Sequence, residues 1–345
     1  MDEKTLIQLD GLKQYFPLAK TGLGRKRRFL RAVDGVSLQI KQGETFGLVG
    51  ESGCGKSTLG KSILQLYKRM GGEVWYYPET GERIALSKQS KKQMRALRKD
   101  LQIVFQDPYS SLNPRMTVGQ IIGEGVTAHG LYKPHSKALQ SYVLEVMQKC
   151  GLDEYALHRY PHEFSGGQRQ RVCIARALAV KPKFVVCDEC VSALDVSIQA
   201  QIINLLSHLK EKENLTYLFI SHDLSVVRHI ADTIAVMYLG KIVEIGKGER
   251  VFKNPLHPYT MALIRSVPTL AQNKNSKRIY LPPTTALQDN ESVGCPFAKR
   301  CFMAKDVCFS KPVELWEGEK GHYASCHFVD MPKKQKEAQI DGERE

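Results

Sequence analysis

At 345 residues and a formal charge of +14, the chain exceeds one typical domain and has ample length for a sizeable core, so one large domain with an appendage is expected. No run approaches the roughly 18–20 uninterrupted apolar residues of a membrane span, and the opening Met1-Asp2-Glu3-Lys4 has no apolar signal core, so a soluble, cytosolic protein is expected. Nine cysteines in such a chain argue against a disulfide framework, and the positive charge fits nucleic acid, an anionic membrane face or solubility alone.

Thr5 to Phe16 alternates weakly and closes on Tyr15-Phe16-Pro17. Gly24-Arg25-Lys26-Arg27-Arg28 reads as a solvated basic turn, with contact to acidic lipid headgroups as its alternative. Val33 to Ile40 is strand-like, and Lys41-Gln42-Gly43-Glu44 turns it into Thr45–Val49, a short apolar run suited to a buried strand. Next comes Gly50-Glu51-Ser52-Gly53-Cys54-Gly55-Lys56-Ser57-Thr58, which fits the phosphate-loop pattern G-x-x-x-x-G-K-[ST] without a mismatch. The helical character of Ser57 to Leu66 completes the strand–loop–helix setting. Its glycines let successive N–H groups turn toward one anion, helped by the positive end of the following helix. Lys56 is expected to reach the β- and γ-phosphates and the Ser57 hydroxyl to ligate Mg²⁺. The expected ligand is a nucleoside triphosphate.

Glu73 to Tyr77 reads as a strand and Lys88 to Lys99 as a basic, solvated helix. Leu101 to Gln106 is a compact strand ending on an amide. In Asp107-Pro108-Tyr109-Ser110-Ser111-Leu112-Asn113-Pro114-Arg115, two prolines forbid a regular helix or strand, which leaves a loop of the kind that carries function. Thr117 to His129 and Ser136 to Cys150 have helical spacing, with Leu139, Val143, Val146 and Met147 as a core stripe. Phe164-Ser165-Gly166-Gly167-Gln168-Arg169-Gln170-Arg171 leads into an Ala-rich helix over Val172 to Val180. Ser165 suits the N-cap, and the two glycines allow close approach of a phosphate. Phe184 to Cys187 is an apolar strand that delivers Asp188 and Glu189 at its carboxyl end, where the ligand crevice of a parallel sheet lies. Asp188 suits Mg²⁺, and Glu189 can act as base toward a water aimed at the γ-phosphate. Ser192-Ala193-Leu194-Asp195 opens a helix from Ile198 to Leu209, and the strand Thr216 to Ile220 ends in Ser221-His222-Asp223.

Taken in order, the phosphate loop, Gln106, the Ser-Gly-Gly-Gln segment, Asp188-Glu189, Ser-Ala-Leu-Asp and Ser-His-Asp resemble the nucleotide-binding subunit of an ABC transporter over about Leu6 to Gly246. The Asn113-Pro114 loop and the stretch from His257-Pro258-Tyr259-Thr260 through four late cysteines resemble the ATPases of bacterial oligopeptide and dipeptide importers, nearer the F-type partner. The resemblance implies an α/β P-loop ABC ATPase with a mixed β core, an inserted helical subdomain and a small Cys-rich C-terminal extension. The corresponding domains are 1–253, with the helical part at about 107–181, then 254–330, and a charged, disordered tail over 331–345. It implies a head-to-tail dimer in which ATP is clamped between Gly50–Thr58 of one subunit and Ser165, Gly166, Gly167 and Gln168 of the other. Phe16, or Tyr15 one residue earlier, would stack on adenine, Gln106 would sense Mg²⁺ and the attacking water, and His222 would contact the γ-phosphate.

The implied activity is ATP hydrolysis that energises peptide import from the cytoplasmic face of the inner membrane. The implied partners are a second homologous ATPase, two permease subunits and an extracytoplasmic peptide-binding protein, with no nucleic acid. A nickel or other small-solute importer, and a soluble ABC ATPase acting on nucleic acid or ribosomes, are the alternatives. The chain departs from the family's pattern at Cys190, where proline usually follows the catalytic glutamate, and at Thr284 to Val293, which lacks a proline-rich turn.

Cys295, Cys301, Cys308 and Cys326 are spaced C-x₅-C-x₆-C-x₁₇-C, unlike the paired C-x₂-C of common zinc modules. Four cytosolic thiolates in a small Lys-rich appendage suggest a metal-held fold, and four cysteines suit a [4Fe–4S] cluster. The resemblance points the same way, with tetrahedral zinc or four unligated cysteines as alternatives. Because the appendage follows the last core strand, this site is expected to lie remote from ATP.

Overall fold

A computed structural model of the chain describes residues 4–18, 28–68, 70–79, 81–266 and 293–330. The expectations for residues 24–27, 284–292 and 331–345 fall outside these. The chain divides into two compact units, each assembled from separated segments.

One unit comprises residues 7–39, 46–75 and the chain from Ser221 onward. Strands Phe29–Lys41, Thr5–Pro17 and Gly71–Tyr76 lie side by side in that order. In a second sheet, the fully buried strand Thr45–Val49 runs parallel to Thr233–Tyr238, with Phe46 opposite Thr233 and Val49 opposite Val236. Burial on both faces explains why Thr-Phe-Gly-Leu-Val is continuous and not alternating. Lys241–Lys247 returns antiparallel along Thr233–Tyr238 through a two-residue turn, Leu239-Gly240, in which both residues have positive φ. That geometry matches the twist of a hairpin.

The C-terminal extension joins this sheet directly. His322–Ala324 pairs antiparallel with Lys241–Lys247, and Trp316–Glu319 pairs antiparallel with His322–Ala324. Leu256, Ala324 and Val329 form a small apolar cluster at the junction. Beside it lies a fully buried carboxylate, Glu244. It accepts the main-chain N–H of Leu256 at 2.9 Å and of His257 at 2.8 Å, and bonds Nε2 of the equally buried His322 at 2.7 Å. Three donors make the burial of this acid tolerable.

The other unit comprises residues 4–6, 40–45 and 76–220. Strands Leu101–Val104, Phe184–Asp188 and Thr216–Ser221 are parallel and in register, with Leu101 opposite Phe184 and Phe184 opposite Thr216. Four helices, Val118–Ala128, Lys137–Lys149, Gly166–Leu178 and Val196–Glu213, accompany them. The first three begin at side-chain caps from Thr117, Ser136 and Ser165, each contributing about 1 kcal/mol. Val143, Val146 and Met147 of the expected stripe are buried, but Leu139 is only half-buried and Tyr142 takes its place in the core. The Tyr142 hydroxyl donates to Ala179 O at 2.8 Å, and its ring stacks on Tyr132 at 4.9 Å.

Two sequence expectations are corrected. The segment after Gln106 contains a four-residue helix, Pro108–Ser111. Proline is harmless at the first helical position, where its N–H would be unpaired, and the Asp107 carboxylate caps the N–H groups of Tyr109 and Ser110 at 2.8 and 3.3 Å. The strand before it also stops at Val104, two residues short of the amide. Among the described residues no helix is long and apolar enough to cross a membrane.

Candidate functional site

The phosphate loop follows the strand Thr45–Val49 and opens the helix Lys56–Ile63. Gly50 and Gly55 have φ of 154° and 111°, and a Cβ at either would stand 2.2 Å from Met237 O or 1.9 Å from Ala32 O. Only glycine lets the loop pass these backbones. Lys56 is buried and its ammonium donates to Gly50 O and Glu51 O, both at 2.9 Å, so it spans the loop it belongs to. Burial pushes the Cys54 thiol up against the pull of Lys56, so the loop's own sulfur is held neutral.

Two further residues hold Glu51. Its N–H donates to the Tyr259 hydroxyl at 2.9 Å, and its two carboxylate oxygens take Nη2 and Nη1 of Arg300 at 2.8 and 2.9 Å. Arg300 also reaches the Tyr238 hydroxyl at 3.3 Å. Tyr238, Tyr259 and Phe297 pack around it with ring centroids 4.7–5.3 Å apart. This corrects the expectation of remoteness. Arg300 immediately precedes Cys301, so the cysteine-bearing segment touches the phosphate loop. Sequence reading missed Arg300 because its partner lies 249 positions earlier. The His257-Pro258-Tyr259-Thr260 run was the available signal, since Tyr259 bonds the same residue.

The same unit contains Phe16, Tyr15 and His222. Phe16 meets Tyr67 edge-on at 5.4 Å. Tyr15 donates its hydroxyl to Asp34 at 2.5 Å, and burial together with that carboxylate pushes its phenol up to about 12. His222 is exposed at the end of the strand Thr216–Ser221, two residues before the helix Leu224–Ile230.

In the other unit, Asp188 is the buried last residue of its strand. Glu189 follows with φ of 49°, a left-handed turn held by its N–H to Ile220 O at 3.0 Å and by the Ser192 hydroxyl on its carbonyl at 2.9 Å. The turn brings the Glu189 carboxylate to the Gln106 amide, with Nε2 to Oε2 at 3.1 Å. Gln106 and Glu189, 83 positions apart, are thus brought together. Cys190, where the family has proline, is buried beside Cys187. The hydrogen bond between the two thiols, reinforced by burial, pushes Cys187 well up. Ser165 and Gln168 close a reciprocal cap, with Gln168 N–H to Ser165 Oγ at 3.4 Å and Ser165 N–H to Gln168 Oε1 at 3.1 Å.

In the extension Cys295 feels the charge of Cys308 and Cys326, and Cys301 that of Cys295, Cys308 and Cys326. Burial pushes Cys295 up to about 11, and its carbonyl accepts the Ala298 N–H at 3.1 Å. Met303 N–H donates to Cys301 Sγ at 3.3 Å and Phe328 N–H to Cys326 Sγ at 3.4 Å. Among the described residues, however, no three His, Cys, Asp or Glu side chains are grouped so as to hold a metal ion. Neither the expected [4Fe–4S] cluster nor its zinc alternative therefore receives support from the grouping of these side chains.

A family profile described as "ABC transporter" matches residues 33–192, and one described as "Oligopeptide/dipeptide transporter, C-terminal region" matches residues 243–308. The chain is 46% identical over 330 residues to the oligopeptide transport ATP-binding protein AppF of Bacillus subtilis, covering 95% of this chain and 98% of that one. It is 44% identical over 325 residues to the dipeptide transport ATP-binding protein DppF of Haemophilus influenzae, covering 94% and 97%. Among solved structures it resembles the ATP-binding cassette MJ0796 bound to ADP and Pi, with a TM-score of 0.61 and 28% identity over 70% of this chain and 98% of that one.

Proposed function

The chain belongs to the ABC-type ATP-binding proteins of oligopeptide and dipeptide transport, and on that premise we propose that it hydrolyses ATP to energise import of di- and oligopeptides through a permease. The observation that carries the reading is a complete phosphate loop in a chain whose Glu189 carboxylate is held by the Gln106 amide at 3.1 Å. A carboxylate oriented by an amide donor suits a base that takes a proton from water as the γ-phosphate is attacked. The loop N–H groups and Lys56 bind the phosphates, Phe16 stacks on the base, His222 contacts the γ-phosphate, and Ser165 to Gln168 close on the nucleotide of a neighbouring subunit. Ser57, Gln106 and Asp188 would hold Mg²⁺, which neutralises phosphate charge. The profile matched to residues 243–308 favours peptide over nickel as the transported class and membrane transport over work on nucleic acid.

The protein acts at the cytoplasmic face of the inner membrane beside a second, homologous ATPase, two permease subunits and an extracytoplasmic peptide-binding protein. The four-residue helix Pro108–Ser111 and its flanks receive the permease. The domains are 1–253 for the ATPase, with its helical part at 107–181, and 254–330 for the extension. Cys295, Cys301, Cys308 and Cys326 hold a [4Fe–4S] cluster, which would cross-link the extension and supply one-electron redox chemistry. Main-chain N–H groups that donate to two of the four sulfurs, those of Cys301 and Cys326, support this reading, because such bonds stabilise thiolate ligands.

The test is Glu189→Gln against Lys56→Ala in the assembled transporter. Glu189→Gln is expected to bind ATP and lose turnover, because the amide keeps size and loses basicity, whereas Lys56→Ala is expected to lose binding. Wild-type turnover in Glu189→Gln would remove Glu189 from its role.

A further inference from the structure

Glu51 is the second residue of a loop that receives a polyanion, and it brings a negative charge of its own. The structure surrounds that charge. Arg300 grips both carboxylate oxygens in the two-pronged geometry that makes Arg–carboxylate pairs strong and directional. The Arg300 side chain is only 7% exposed and Glu51 32%, so water screens the pair poorly. The guanidinium is itself fixed, lying 5.6 Å from the Tyr238 ring centroid and 6.0 Å from that of Phe297. Glu51 is meanwhile held by its N–H on Tyr259 and by its carbonyl on Lys56. Nearly all of this support comes from the strand Thr233–Tyr238 and the extension. Arg300 ends the short 3₁₀ turn Ala298–Arg300, which sits between Cys295 and Cys301.

We infer that Arg300 is a positioning residue of the ATP site: it neutralises Glu51 and fixes its side chain, so that the phosphate loop meets a triphosphate without a carboxylate opposing it. The C-terminal extension thereby forms part of the nucleotide site. This rests on reading Gly50–Thr58 as the phosphate loop. It does not depend on what the four cysteines hold.

The experiment is equilibrium binding of ATP·Mg to the purified full-length chain, with melting curves to confirm folding. Arg300→Met is expected to raise the Kd for ATP at least about tenfold, equivalent to about 1.4 kcal/mol. Adding Glu51→Gln to Arg300→Met removes the uncompensated charge and is expected to return the Kd to within about threefold of wild type. A merely structural bridge would not be rescued by losing its second half. An Arg300→Met Kd within about twofold of wild type, or a double variant as weak as Arg300→Met, overturns the inference. If Arg300→Met does not melt cooperatively, Arg300→Lys decides. It keeps the charge and loses the fork, so an affinity within about threefold of wild type supports neutralisation and a tenfold loss overturns it. A wild-type chain that binds no ATP·Mg would refute the phosphate-loop reading instead.

Discussion

Replacing Glu244 with alanine probes how the extension is fastened. The side chain is fully buried and gathers three donors, the N–H groups of Leu256 and His257 and Nε2 of His322, at 2.7–2.9 Å. His322 Nδ1 is buried without a hydrogen-bond partner, so the ring's one bond is the one from Nε2 to the carboxylate. Alanine leaves two main-chain N–H groups and an imidazole N–H without an acceptor, each a loss of about 1–3 kcal/mol. Removing a charged acid that was expensive to bury offsets part of this, and breaking one partner of a buried pair typically costs about 3–5 kcal/mol in total. Against a whole-protein stability of about 5–15 kcal/mol, that is enough to loosen the extension. Urea denaturation should show a lower midpoint, and hydrogen exchange should show lost protection at Leu256, His257 and the strand His322–Ala324. Glu244→Gln should recover part of the loss, because its carbonyl accepts while its amide opposes a donor. A Glu244→Ala chain within about 1 kcal/mol of wild type, with the strand still protected, would refute the reasoning.

Tyr142→Phe removes the hydroxyl that donates to Ala179 O and should lower stability by about 0.5–1.5 kcal/mol without altering ATP binding. A maleimide at pH 7.5 should label Cys54, Cys150, Cys173, Cys187 and Cys190 only after denaturation, since all five are buried. Burial also raises Cys54, Cys173 and Cys150, the last to about 12, so their reactive thiolate is scarce below that range and grows only as pH climbs toward it. Rapid stoichiometric labelling of the folded chain would contradict that picture. Anaerobic protein should be brown and contain iron and acid-labile sulfide, and Ser at any of the four late cysteines should bleach it. One zinc per chain, or four freely titrating thiols, would defeat the cluster.

The features legible in the sequence were those whose determinants lie within a few residues of one another. Thr45–Val49 is buried on both faces and reads as an unbroken apolar run, and the phosphate loop is a fixed spacing of glycines with Lys56 and Ser57. Ser165 was recognisable as a cap because its partner, Gln168, is three residues away. Pro108 was read as a breaker because its effect depends on position. At the first residue of a helix capped by Asp107 it costs nothing. Arg300 and Glu244 were invisible because their partners come from distant chain. Only folding brings Glu51 to Arg300, or His322 to Glu244 across 78 positions. Cys190 looked like a defect in a pattern. Burial against Cys187 gives its thiol a partner that proline would not have supplied.

The most direct test of peptide-import coupling is ATP hydrolysis in proteoliposomes that contain the chain, its partner ATPase and the permease, with and without peptide-loaded binding protein. The account predicts low turnover alone, stimulation by peptide together with uptake of labelled peptide, and loss of both in Glu189→Gln. Full hydrolysis by the isolated chain that ignores peptide and permease, or uptake that survives Glu189→Gln, would contradict it.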